Sequence, residues 1–458
     1  MNATFVADIA GTYRAQLVSS NGTISSEADT VDIKATSGAL SCGDLVSGSI
    51  VSAGQIDQYT FQGQVNEILT LTLVDTSGFG AGPAVTTLLG PSGQQLTTFA
   101  ANNQQQVALP VAGVYVIQVE GSGLISTGQY NVGVVCRNPN SPVIAALTCG
   151  ALKAGSITTP GQVDQYTFKG SAKEILTLTL VDTGGFGSGP AFVTLLAPSG
   201  QPVTSFAANS QRQINLTAAG VYVMQVVGAG FISTGQYNLG LTCRHPNKPV
   251  KAKLGCGALE AGSITAPGQV NQYTFKAKAN ELLTMTLVDT GGFSGGPAFV
   301  TLFAPSGQAV TSFAANSQQQ VSLAAAGVYV MQVVGSGFIS TGQYNLGLTC
   351  RNPNSPVIAV LGCGALQPGS ITAAGQVDQY TFQGQASEVV TLTLTDTGGF
   401  GGGPAFVTLF APSGQPVTSF PANGKQQITL SATGVYVEQV VGSSYISTGQ
   451  YNLGLTCP

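Results

Sequence analysis

The chain has 458 residues, of which only 7% are charged, with 15 Lys and Arg against 19 Asp and Glu for a net charge of -4. So weak a charge excludes the Lys/Arg footprint that nucleic acid requires, and it excludes electrostatic docking on a membrane. With 43% hydrophobic residues the composition is not that of a disordered chain, and the longest apolar runs fall well short of the ~18 residues of a membrane span.

Residues 1–34 differ in pattern from the rest of the chain. Met1 to Ala10 lacks the basic start and apolar core of an export signal, so we read the sequence as a piece of a longer secreted polypeptide or one whose signal has been removed. Ala10 to Val18, a turn at Ser19-Ser-Asn-Gly22, and Thr30 to Ile33 predict two strands joined in a hairpin. Two strands are marginal in water, so something must complete them: upstream sequence, the first repeat, or a neighbouring chain.

From residue 35 one unit is written four times, over 35–141, 142–248, 249–355 and 356–458. Cys42, Cys149, Cys256 and Cys363 stand 107 residues apart, as do Cys136, Cys243, Cys350 and Cys457. Tyr59, Tyr166, Tyr273 and Tyr380 keep the same spacing, as do Tyr130, Tyr237, Tyr344 and Tyr451. The period exceeds the ~20–50 residues of solenoid repeats, so each unit is expected to be a small domain with its own core.

In the second copy, strands are expected at Ser156-Ile-Thr, Val163 to Phe168, Glu174 to Val181, Phe192 to Leu196, Val203 to Phe206, Gln213 to Leu216, Val221 to Val227 and Gln236 to Thr242. Leu176, Leu178 and Leu180 face inward and Thr177 and Thr179 outward by the period of two. No segment has helical periodicity. The fold class is all-β: four antiparallel sandwiches of jelly-roll type after a partial N-terminal β segment. The linkers, such as Arg137-Asn-Pro-Asn-Ser-Pro142, are stiffened by proline, and their apolar halves are expected to enter the next domain as extended segments in a semi-rigid rod.

Two cysteines per unit without a CxxC pair predict disulfides in an oxidising compartment, hence a secreted or surface location. The last strand places Cys243 on its core side and Cys149 precedes the first strand, which favours pairing within units (42–136, 149–243, 256–350, 363–457). Closing a loop of that length is worth on the order of 4–5 kcal/mol in the chain-entropy model. The competing connectivity would staple linkers, as Cys136 with Cys149.

Candidate chemistry lies at several places. His245 is in a linker where the other copies carry Asn138 and Asn352, which makes it a surface substitution and not part of a nucleophile system. Asp164, Glu174 and Asp182 recur as Asp57, Glu67 and Asp75, as Asn271, Glu281 and Asp289, and as Asp378, Glu388 and Asp396. Calcium would need about 6–8 oxygens from them and the nearby loop. The competing reading has Asp164 and Glu174 satisfying backbone donors at strand ends, and Asp182 capping the glycine loop. That loop, Gly184-Gly-Phe-Gly-Ser-Gly189, has no lysine or adjoining helix and is no phosphate cradle. Its Phe186, with Phe79, Phe293 and Phe400, is either a contact residue at a loop tip or tucked into its own sandwich. Asn2, Asn21 and Asn215 begin glycosylation sequons. No catalytic constellation is found, and the chain is not expected to be an enzyme.

Two resemblances add to this. Ala10-Gly-Thr-Tyr and the strands after it resemble the end of a PKD or immunoglobulin-like domain of bacterial surface proteins. The order Gly155-Ser-Ile, Gly161-Gln-Val-Asp-Gln-Tyr-Thr-Phe168, Leu176-Thr-Leu-Thr-Leu180, Ala197-Pro-Ser-Gly200, Ala219-Gly-Val-Tyr222 and Thr234-Gly-Gln-Tyr-Asn-Leu239 resembles the bacterial pre-peptidase C-terminal (PPC) domain, over all four units. The PPC resemblance implies a β-sandwich with accessory, adhesive or spacer roles. Some relatives look to bind calcium just before the first strand, where this chain has Gly150-Ala-Leu-Lys-Ala-Gly155 and no carboxylate. The expected function is an extracellular structural repeat protein that self-associates into a stalk, fibre or filament. The alternatives are an array binding a glycan or protein ligand, and an accessory region of a secreted hydrolase.

Overall fold

A computed structural model describes residues 11–20, 22–27, 29–137, 140–244, 247–248, 250–351 and 354–457. The chain divides into two compact units, Met1–Glu174 with Leu178–Leu241, and Ile175–Thr177 with Thr242–Pro458.

The chain is all-β. The N-terminal hairpin pairs β1 (Gly11–Leu17) with β2 (Asp29–Leu40) in antiparallel register. The first repeat then runs β3 (Leu45–Ile50), β4 (Ile56–Gly63), β5 (Ile68–Ser77), β6 (Ala84–Leu89), β7 (Gln95–Ala100), β8 (Asn103–Ala108), β9 (Gly113–Gly121) and β10 (Gly128–Arg137). One sheet has the order β1-β2-β4-β9-β6-β7, and the other runs β10-β5-β8 with β3 paired to the free side of β10. Later repeats reproduce both sheets, and among the described residues the helical segments are short 3-10 turns such as Ser122–Leu124.

Two details depart from a purely antiparallel sandwich. β2 runs unbroken through residues 34 and 35 and pairs in parallel with β4, so the hairpin extends the first repeat's own sheet. In the second repeat the apolar end of the linker does the same job in miniature, with Ala145–Ala146 parallel to Tyr166 and Thr167. The reason is local: a chain arriving from a proline-stiffened linker is already extended and meets a strand edge with open backbone groups.

The core lies between the two sheets. Leu69, Leu71 and Leu73 of β5 pack with Tyr115, Ile117 and Val119 of β9, and all are buried. Each such side chain contributes about 1.5–3 kcal/mol on burial. The glycine of the first strand has a specific cause: a Cβ at Gly48 would overlap the ring of Tyr130, and the same holds for Gly155 under Tyr237, Gly262 under Tyr344 and Gly369 under Tyr451. A flat backbone there is what lets the tyrosine reach across the sandwich.

Candidate functional site

Two recurring clusters carry the polar chemistry of the described residues, one inside each repeat and one where repeats meet within a unit. In the first cluster the last strand's tyrosine bridges the sheets. Tyr130 donates its hydroxyl to Asp57 Oδ2 at 2.6 Å and shares a 2.8 Å hydrogen bond with Tyr59, while Gln55 Nε2 donates to Asp57 Oδ1 at 2.8 Å. Tyr237, Tyr166, Asp164 and Gln162 repeat the pattern at 2.5, 2.7 and 2.6 Å, and Tyr451, Tyr380, Asp378 and Gln376 at 2.6, 2.8 and 2.7 Å. The third repeat has Asn271 in place of the aspartate, and the bond reverses: Asn271 Nδ2 donates to Tyr344 at 2.7 Å. Burial pushes the Asp164 and Asp378 carboxyls up, partly offset by the tyrosine and glutamine donors. Burial likewise pushes the tyrosines Tyr130, Tyr237 and Tyr451 far up, so they stay protonated donors. Asp164 is thus partnered by side chains, where a backbone partner at a strand end was expected. The pairing is invisible in sequence because the partners lie 73 residues apart.

The other two acidic positions serve backbone donors. Glu174 Oε2 accepts from Ser171 N at 2.8 Å, and Asp182 Oδ1 accepts from Ala191 N at 3.3 Å across the glycine loop. The three carboxylates do not converge on one point. Instead Glu67, Glu174, Glu281 and Glu388 each lie with the repeat's two cysteines, ligand atoms within 4.8 Å of one another. Cys42–Cys136, Cys256–Cys350 and Cys363–Cys457 are disulfides with Cα atoms 5.3 Å apart, and Cys149 and Cys243 are also disulfide-bonded. Bonded sulfurs offer no thiolate, so each group presents a single carboxylate, one oxygen of which already accepts a backbone N–H in the first repeat at 2.9 Å. A hard cation needs about 6–8 oxygens, which this set does not supply.

Phe79, Phe293 and Phe400 are partly buried against their repeats' cores, and Phe186 is placed alike, its ring over Gly235. The exposed apolar residues of the neighbouring turn are different ones: Ile125, Ile232, Ile339 and Ile446. Each comes directly after a non-glycine residue held in the left-handed region, with φ of 62° at Leu124, 62° at Phe231, 63° at Phe338 and 64° at Tyr445. The cue for this turn, a recurring Ile-Ser-Thr-Gly-Gln-Tyr, is plain in the sequence, but its strain is not. Asn215 is exposed at the end of its strand, while Asn2, Asn21 and His245 lie outside the described residues.

The second cluster joins repeats. Within the first unit Gln225 Nε2 donates to Thr70 Oγ1 at 3.1 Å and to Gln165 Oε1 at 3.2 Å, and Gln165 Nε2 donates to the Cys136 carbonyl at 3.0 Å. Asn131 Nδ2 donates to the Pro160 carbonyl at 2.8 Å, and Arg137 donates to the Ala197 carbonyl. Gly161, with φ of 88°, forms a notch in which Leu45 and Val74 pack. Within the second unit the same contacts recur: Gln439 to Thr284 at 3.2 Å, Gln439 to Gln379 at 3.0 Å, Gln379 to the Cys350 carbonyl at 3.1 Å, and Asn345 to the Ala374 carbonyl at 2.8 Å. There Arg351 also lies over the Phe410 ring at 4.0 Å, and burial lowers its pKa to about 10. Thr70, Thr72, Thr284 and Thr286 point away from their own cores, yet they are fully buried because another repeat covers them.

The chain matches no family model, and a comparison with curated proteins finds no match. Among solved structures it is similar to PliG of Aeromonas hydrophila, a periplasmic inhibitor of g-type lysozyme, at 24% identity over 22% of this chain and 96% of that one, with a TM-score of 0.19. It is similar to the pre-peptidase C-terminal domain of a Bacillus anthracis collagenase at 19% identity, over 22% of this chain and 99% of that one, TM-score 0.19. A third likeness, to the M60 catalytic and CBM51 domains of Clostridium perfringens ZmpB, is 7% identical over 76% of this chain and 43% of that one, TM-score 0.16. At these scores none carries a functional inference. The architecture itself is a tandem, disulfide-stabilised set of β-sandwiches.

Proposed function

We propose that this chain is a non-enzymatic, extracellular structural protein, a subunit of a surface stalk, fibre or filament built from four PPC-like modules at 35–141, 142–248, 249–355 and 356–458. The observation that carries this reading is the junction. A buried threonine, two glutamines, an asparagine and a glycine notch hold one repeat on the next, and the set recurs in both units. Buried polar networks of this kind fix geometry more than they add stability, which is what a scaffold requires. Bonded cysteines in every repeat support an oxidising compartment. The PPC-like order of motifs, and the PKD- or immunoglobulin-like hairpin before it, fit a secreted surface protein. Immuno-electron microscopy of the native source tests the reading: it expects label on extended surface structures or shed fibres, and label confined to dispersed single molecules would count against it.

A second reading, adhesion to a glycan or protein, is favoured by the four exposed isoleucines on strained turns. A glycan and matrix-protein array probed with the chain and with Ile232→Asp would separate the two. Binding lost in the variant supports adhesion, and no binding leaves the scaffold alone.

A further inference from the structure

We propose that the chain docks head to tail on a second copy of itself, the exposed outer sheet of the first repeat receiving the exposed outer sheet of the fourth. The proposal deepens the scaffold reading and rests on it. Its basis is a comparison of equivalent positions. In the second and fourth repeats the receiving face is covered: Gln225 and Gln439 are 1% and 2% exposed, and Val223, Leu196, Val437 and Phe410 are buried. A Cβ at Gly200 would meet Ile68 and Arg137, and one at Gly414 would meet Leu282 and Arg351. In the first repeat the same positions, Gln118, Val116 and Leu89, are only half-buried, and Gly93 has no heavy atom within 4 Å of where a Cβ would stand. These exposures hold with the β1–β2 hairpin in place.

The inserting face shows the converse. Leu45 and Leu259 rest in the notches of Gly161 and Gly375, whereas the equivalent Leu366 of the fourth repeat is 66% exposed. Thr391 and Thr393, equivalent to the fully buried Thr70 and Thr72, are half-buried, and Thr395 is exposed where Val74 is buried.

Each open group on one face has its counterpart on the other. Leu366 matches the notch at Gly54, whose φ of 80° is close to the 88° of Gly161 and 85° of Gly375. The Gln118 amide matches the Thr391 hydroxyl, and the Asn452 amide matches the carbonyl of Ala53, as Asn131 does that of Pro160. The occupant is a second copy of this chain, because its fourth repeat carries a leucine, a threonine and an asparagine at the spacing the internal junction uses. The contact is heterologous, so it propagates and does not stop at a dimer. It is also weaker than the internal junction: the sequence has Pro458 where Arg137 and Arg351 donate, and Thr395 where Val74 and Val288 pack. Association should therefore vary with concentration.

Sedimentation velocity on the full chain tests this, with Leu366→Asp to block the inserting face and Gln118→Lys to block the receiving face. Both positions are at least partly solvent-exposed, and unchanged circular dichroism and thermal unfolding check that each variant folds. The wild type is expected to form species of increasing size with concentration, and each variant alone to remain monomeric. An equal mixture of the two variants is expected to form dimers that grow no further, since it contains one usable pair of faces. Association of either variant like wild type overturns the docking proposal while leaving the scaffold reading in place, since assembly then uses another surface. A wild type that stays monomeric at every concentration overturns the proposal as well. Dispersed single molecules in the native source would instead remove the scaffold reading.

Discussion

Glu438 is the residue most at odds with its surroundings. It occupies the core position held by Ile117, Met224 and Met331 in the other repeats, is fully buried, and neither carboxylate oxygen has a hydrogen-bond partner. Burial pushes its carboxyl up to about 8. A folded-state value above the unfolded one means that stability is full below about pH 4.5 and is lost as pH rises toward 8. The fourth repeat is therefore expected to weaken on the order of 3–5 kcal/mol across that window. Glu438→Met should abolish the slope, and denaturant unfolding at pH 5 and pH 8 measures it; equal slopes in variant and wild type would contradict the assignment. Asp164 permits a milder test, because Asn271 already does its work in the third repeat. Asp164→Asn is expected to change stability by under about 1 kcal/mol at neutral pH and to gain on wild type as pH rises, since burial raises the Asp164 carboxyl. Asp164→Ala leaves one hydroxyl of the Tyr166–Tyr237 pair and one Gln162 amide hydrogen short of an acceptor and is expected to cost about 1–3 kcal/mol.

At the scale of strands, the eight predicted in the second copy all form, each within a few residues of its expected limits; Gln236 to Thr242, for example, becomes Gly235–Arg244. The alternation of Leu176, Leu178 and Leu180 was legible because leucine and threonine differ in hydrophobicity and a strand repeats every two residues. Whether the outward threonines meet water or another domain was not legible. Period two tells which face a side chain takes, and nothing about what lies beyond that face. The same limit hid the tyrosine–aspartate pairing and the parallel attachment of β2 to β4, both set by contacts distant in sequence. The disulfides Cys42–Cys136, Cys256–Cys350 and Cys363–Cys457 each close 94 residues, so reducing one is expected to cost about 4–5 kcal/mol in the chain-entropy model. Because the Cys136 carbonyl accepts from Gln165, reduction should also raise hydrogen exchange along β10 at the junction. Protection there unchanged by reductant would separate the disulfide from the junction.

At the scale of the molecule, repeats are closed by sulfur and, within each unit, one repeat is seated on the next by a fixed polar set. If the junction couples them, Thr70→Val and Gln225→Ala should each destabilise. The double variant should then cost less than the two singles together, by a coupling of about 0.5–3 kcal/mol. Additive effects would mean the hydrogen bond is incidental. The most direct measurement is single-molecule extension of the whole chain with and without reductant. The 94-residue separation between bonded cysteines locks most of each repeat out of reach of the pulling force while oxidised, and reduction frees about 330 Å per repeat at full extension. Repeats closed in this way should give only short steps from the oxidised chain and a series of steps near that length after reduction. Steps of that length from the oxidised chain would contradict the closure.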